Sequence, residues 1–182
     1  MKNDDLLKEK KISSELIYKG KIIDVYKDKV ECPNGHISYR ELIRHCKASC
    51  ILAFNDKGNI LLERQYRYPY DEVIYEFPAG KCDAGEDPKD TAVRELEEET
   101  GYHANHIEFL GLMYPSCAYT DEVIYLYVAK DLIKTKQHLD ENEALMIEEV
   151  SLDKLKEMIN NGKVVDAKTL CALTYYFCKE SK

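Results

Sequence analysis

Apolar and polar positions along the first half of the chain are patterned as strands, and helical spacing enters only toward and beyond the midpoint. Residues 16–31 and 37–46 read as strands around Pro33-Asn34-Gly35, a hairpin turn. A second pair, 48–54 and 59–66, surrounds Asn55-Asp56-Lys57-Gly58, and 73–78 forms a short strand leading into Pro78-Ala79-Gly80. A helix follows, then strands near 107–114 and 122–129, a polar stretch, a strand around 146–150, and helices near 152–160 and 166–178. No internal repeat or low-complexity linker interrupts the order, which predicts a mixed sheet between helices.

The first helix has both ends written into it. Asp87 can serve as N-cap, Pro88 suits the first helical position, and Asp90 places an acid where the helix dipole favours one. Gly101 stands where a C′ residue takes the left-handed conformation. Between these caps Glu95, Glu98 and Glu99 are spaced i, i+3 and i+4, so their carboxylates share one face and repel. A hard cation such as Mg²⁺ or Mn²⁺, which prefers oxygen ligands, would neutralise them. Taken alone, a solvated Glu-rich surface is the simpler reading of this face.

Length and composition change the picture little. At 182 residues, 45% hydrophobic and 33% charged, the chain can bury the core of an ordinary globular protein. It contains no apolar run that spans a bilayer, and Met1-Lys-Asn-Asp-Asp leads into charged residues without a signal-peptide core, so a cytoplasmic protein is expected. Seven cysteines without CxxC spacing read as reduced thiols. A net charge of −8, with no basic stripe, argues against nucleic acid as the main partner.

The segment from Gly80 to Tyr102 settles the balance on the acidic helix. It resembles the Nudix hydrolase signature G-x5-E-x7-R-E-U-x-E-E-x-G-U, where U is a bulky aliphatic residue: Gly80, Glu86, Arg94, Glu95, Leu96, Glu98, Glu99 and Gly101 fall in register, and only Tyr102 departs. Upstream, Glu63-Arg64-Gln65-Tyr66-Arg67-Tyr68-Pro69 and Tyr75-Glu76-Phe77-Pro78-Ala79-Gly80-Lys81 resemble the ADP-ribose pyrophosphatase branch. Pro115, Asp121-Glu122 and the stretch Gly162–Thr169 are similar to that branch as well, although Cys117-Ala118 stands where many relatives carry Pro-Gly.

The resemblance implies an α/β/α sandwich with a mixed sheet, preceded by an N-terminal β subdomain over residues 1–45, with the Nudix domain over 46–182. It implies metal bound by the Ala79 carbonyl, Glu95 and Glu99, with Glu98 adjacent, and Gly80, Glu86, Arg94 and Gly101 as scaffold. The acidic loop Asp140–Glu143 is positioned like one that supplies a base or an extra metal ligand in this branch, with Glu143 favoured over Glu141, and a solvated loop is the alternative. Arg67 is expected to chelate the diphosphate, with Glu76 also at the substrate. Relatives that stack adenine between tryptophans would here place Ile22 and Tyr39, and this chain has no tryptophan. The expected reaction is Mg²⁺-dependent hydrolysis of ADP-ribose to AMP and ribose 5-phosphate. Another nucleoside diphosphate sugar, or nucleotide sensing without turnover, are the alternatives. The unbroken Arg94-Glu95-Leu96-Glu97-Glu98-Glu99 run favours an enzyme over a sensor. In this branch the N-terminal strands pack against a second subunit, so a homodimer is expected, and Ile17, Ile22, Ile23, Val25 and Val30 supply apolar surface for it.

Overall fold

The computed structural model describes residues 4–181, so the extreme N-terminal residues 1–3, part of the expected subdomain and of the run read for a leader, lie outside the described residues, as does 182. The chain divides into two units, the residues up to His45 with Ser116–Glu122, and Cys46–Pro115 with Val123–Lys182.

In the first unit β1 (Lys10–Lys19), β2 (Asp24–Glu31) and β3 (Ile37–Arg44) form an antiparallel meander. The turn expected at Pro33-Asn34-Gly35 is present. Gly35 has φ 81°, its N–H reaches the Cys32 carbonyl at 2.8 Å, and the Asn34 side chain accepts from His36 N–H. The single strand read over 16–31 is two strands, because the chain reverses at Gly20, whose N–H donates to the Ile23 carbonyl at 2.9 Å. β1 begins at Lys10, six positions before the expected start. It is exposed along its whole length, so no buried face imposes an apolar alternation on its sequence. Asp121 ties the 116–122 segment to the end of β3, accepting from Arg44 and from the His45 N–H.

The second unit holds two sheets and three helices. β7 (Ala79–Lys81), β4 (Ala48–Ala53), β9 (Ile124–Lys134) and β8 (Tyr102–Met113) form a mixed sheet in that order, with β4 and β9 parallel. β10 (Leu145–Val150), β5 (Ile60–Arg67) and β6 (Glu72–Glu76) form an antiparallel one. α1 (Pro88–Thr100), α2 (Leu152–Asn160) and α3 (Ala167–Glu180) complete the unit. β4 is buried on both faces, and its alternate residues point to different layers. Cys50 and Leu52 pack with Leu155 and Met158 of α2 and Ala172 and Leu173 of α3, whereas Ile51 and Ala53 pack with Ala92 and Leu96 of α1. The sheet therefore lies between α1 on one side and α2 with α3 on the other, as the α/β/α expectation required. Two strands are longer than their sequences announced. β8 starts at Tyr102 directly after the helix cap, and β9 runs on to Lys134, because pairing with each other carries their polar ends. Among the described residues no helix is long and apolar enough to cross a membrane.

Candidate active site

The caps of α1 form as the sequence indicates. Asp87 accepts from the Lys89 N–H, Pro88 opens the helix, and Gly101 at φ 70° returns its N–H to the Glu97 carbonyl at 2.9 Å. The helix starts immediately after the 82–87 loop and runs beside β4 and β7, which sets its carboxylate face over the Ala79-Gly80 strand.

Gly80 is required there by close approach. A Cβ at this position would overlap the carboxylate of Glu95, so the absent side chain is the seat of that group. Glu99 is fixed to the same strand, since the Ala79 N–H donates to its Oε2 at 2.9 Å. Arg94 links the remaining acids. Its Nε and Nη2 donate to Glu86 at 2.9 Å, and Nη1 donates to Glu95 and Glu98, each at 2.9 Å. Glu86 also accepts from Thr91 and from the Asp83 N–H, and with Arg94 foremost these partners hold its carboxyl down at about 2.

The other carboxylates are pushed the opposite way. Burial raises Glu95 to about 7, with Glu98 and Glu143 adding negative potential against the help of Arg94. Glu99, 4% exposed, is raised further by burial and by the neighbouring Glu63 and Glu95. Glu63, 1% exposed on β5, is raised by burial as well, and its Oε1 has no hydrogen-bond donor among the described residues. Glu63 and Glu99 can hydrogen-bond only while one of them keeps a proton. A second cluster adjoins them. Arg67 donates from Nε and Nη2 to the two oxygens of Glu76 at 2.6 and 2.8 Å, Lys168 contacts Glu76 Oε2, and Lys168 lies 3.2 Å from Asp166. A cleft of about 580 Å³ opens beside the 82–88 loop. Glu86 lines it, and Glu95 and Glu99 do not.

Buried carboxylates that share protons, with one oxygen lacking a donor and only oxygen atoms to offer, suit a hard divalent cation. Among the described residues no three acidic, His or Cys side chains already stand in a metal-binding arrangement. In this structure the Arg94 guanidinium is the positive partner of Glu95 and Glu98.

Family models match the same ground. Residues 44–173 match the NUDIX domain, and residues 9–43 match the nucleoside diphosphate sugar hydrolase N-terminal domain. The chain belongs to the Nudix hydrolase family. It is 41% identical over 177 residues to an ADP-ribose pyrophosphatase of Bacillus subtilis (strain 168), covering 96% of each chain. It is also 41% identical over 178 residues to a methanol dehydrogenase activator of Bacillus methanolicus, covering 97% of this chain and 96% of the relative. A solved structure of an ADP compounds hydrolase superposes with a TM-score of 0.84 at 25% identity, covering 93% of this chain and 92% of the other.

Nudix hydrolases use divalent metal ions, and in this Nudix chain Ala79 bonds Glu99, Gly80 seats Glu95, and Arg94 bonds Glu86, Glu95 and Glu98. Glu143 stands close enough to Glu95 to act on its ionisation, and the exposed loop also carries Glu141. Arg67, expected to be available for a diphosphate, is held by Glu76, with 40% of its side chain exposed. Ile22 and Tyr39 belong to the first unit, where both are exposed and Lys27 Nζ sits 4.9 Å from the Tyr39 ring centre. Two site neighbours went unread in the sequence, Glu63 and Lys168. A carboxylate directly after Ile60-Leu61-Leu62 was the available signal for the first. The second lay in the Gly162–Thr169 stretch that carried no assigned role.

Proposed function

We propose that this Nudix hydrolase cleaves the pyrophosphate bond of ADP-ribose to AMP and ribose 5-phosphate, using Mg²⁺ or Mn²⁺ held by Glu95, Glu99 and the Ala79 carbonyl with Glu98 beside them. The observation that carries the reading is the half-buried Glu95 and the buried Glu99 brought together at the Ala79-Gly80 strand, where desolvation disfavours their ionised forms unless a cation joins them. The 41% identity to an ADP-ribose pyrophosphatase along 96% of both chains supports the choice of substrate. When bound, such a cation offsets phosphate charge and lowers the pKa of a coordinated water.

The chain's own side chains supply the rest. Arg94 and Glu86 brace the loop so that Glu95 and Glu98 stay on one side of α1. Glu143 takes the proton of the attacking water, for it is the loop acid that Glu95 senses, and Glu141 is its alternative. Arg67, oriented by Glu76, receives the diphosphate through the exposed part of its guanidinium. Ile22 and Tyr39 meet the base from a second copy of the chain in a cytoplasmic homodimer. The exposed Ile12, Leu16, Ile17 and Ile22 of the first unit support that association, since isolated solvated strands seldom carry so much apolar surface.

A panel of ADP-ribose, other nucleoside diphosphate sugars and dinucleotides, incubated with Mg²⁺ and assayed for released monophosphate, tests the reaction. Preferred turnover of ADP-ribose is expected. Preference for a different nucleoside diphosphate sugar would overturn the substrate assignment, and no turnover of any would overturn the reaction itself.

A further inference from the structure

Glu63 has no place in the signature, yet it is among the most deeply buried charged residues of the second unit. Its strand neighbours offer it nothing. Across β5 it pairs with Glu76 on one side and Ile147 on the other, an acid and an aliphatic side chain. Like charges directly opposite each other in a sheet are destabilising unless something offsets them. For Glu76 the offset is complete, because Arg67 and Lys168 both bind it. For Glu63 the described residues provide no ion pair, and Oε1 has no donor at all. Its carboxyl is turned instead toward Glu99, which is anchored to the Ala79 N–H.

We infer that Glu63 is a further carboxylate ligand of the divalent-metal centre, joining Glu95 and Glu99 from the strand side. The inference rests on the metal site of the proposed function and deepens it. A carboxyl buried here without a cation is held toward its protonated form, and a divalent ion bound by Glu63 and Glu99 would offset the cost of ionising both. An additional anionic oxygen ligand also tightens a hard-cation site, since affinity rises with ligand charge.

The test is Mn²⁺ binding to the full-length protein without substrate, by calorimetric titration, with melting temperature followed in the presence and absence of Mn²⁺. Glu63→Gln and Glu63→Met are compared with wild type and with Glu95→Gln. Both Glu63 variants are expected to bind Mn²⁺ at least about 10-fold more weakly and to lose most of the Mn²⁺-induced rise in melting temperature. Their metal-free forms are expected to melt no lower than wild type, because the uncompensated acid is gone. Mn²⁺ affinity within about 2-fold of wild type in either folded variant overturns the inference and leaves Glu63 a buried strut. If wild type itself binds no Mn²⁺, or Glu95→Gln binds as wild type does, the metal site falls and this inference falls with it. Loss of Glu63 binding alone is therefore distinguishable from failure of the wider reading.

Discussion

Replacing Gly80 by Ala is expected to injure the metal site while leaving the fold nearly intact. Gly80 is absent from the glycines with positive φ, so alanine meets no backbone penalty there. Its new methyl group would overlap the Glu95 carboxylate, which must retreat by more than an ångström to restore carbon–oxygen contacts of about 3.5 Å. The obstacle is the far end of a flexible side chain, so the strain is relieved by swinging Glu95 outward, at the cost of its 2.9 Å bond from Arg94. Arg94 keeps Glu86 and Glu98. The net stability change should be about 1 kcal/mol, or roughly 2–4 °C in melting temperature for a chain of this size. Divalent-metal affinity should fall about 10–100-fold, and high Mg²⁺ should partly restore the rate. Gly85→Ala is the control. Gly85 has φ 86°, and a Cβ there meets nothing within 4 Å, so that variant should lose about 1 kcal/mol to backbone strain with unchanged metal dependence. Mg²⁺ titration of the hydrolysis rate and differential scanning fluorimetry read both quantities. A Gly80→Ala protein with the wild-type Mg²⁺ midpoint would refute the argument that the glycine exists to seat Glu95.

Three further outcomes follow from the same geometry. Glu99→Gln keeps the size of the side chain and removes its charge, so the Mg²⁺-dependent rate should fall by at least about 100-fold with the fold preserved by circular dichroism; an unchanged rate would exclude Glu99 from the metal site. Arg67→Ala should raise KM for the diphosphate by an amount equivalent to about 1.5–3 kcal/mol and also lower the melting temperature, because Glu76, only 2% exposed, keeps Lys168 as its single remaining cation; a lower melting temperature with unchanged KM would make Arg67 purely structural. Glu86 has a folded pKa of about 2 against an ordinary 4.5, so the stability it lends is full above about pH 4.5 and is lost as pH falls through 2; melting curves of Glu86→Gln should lack that part of the acid limb, and superimposable wild-type and variant acid limbs would contradict it.

The caps of α1, the Asn34-Gly35 turn and the spacing of Arg94, Glu95, Glu98 and Glu99 were legible because each depends on a few adjacent residues. An N-cap bonds two or three positions ahead, and i, i+4 neighbours share a helix face whatever surrounds them. Strand limits were less so. β1 has no buried face to imprint a period, and the polar ends of β8 and β9 are strand because they pair with one another. The least legible feature is the seating of the acids. That Glu95 rests on Gly80, that Arg67 and Lys168 both bind Glu76, and that Glu63 faces Glu99 each join residues 9 to about 90 positions apart. Burial and cross-strand pairing bring those groups together, and only there, away from water, do carboxylates that would be ordinary on a solvated surface acquire their need for a cation.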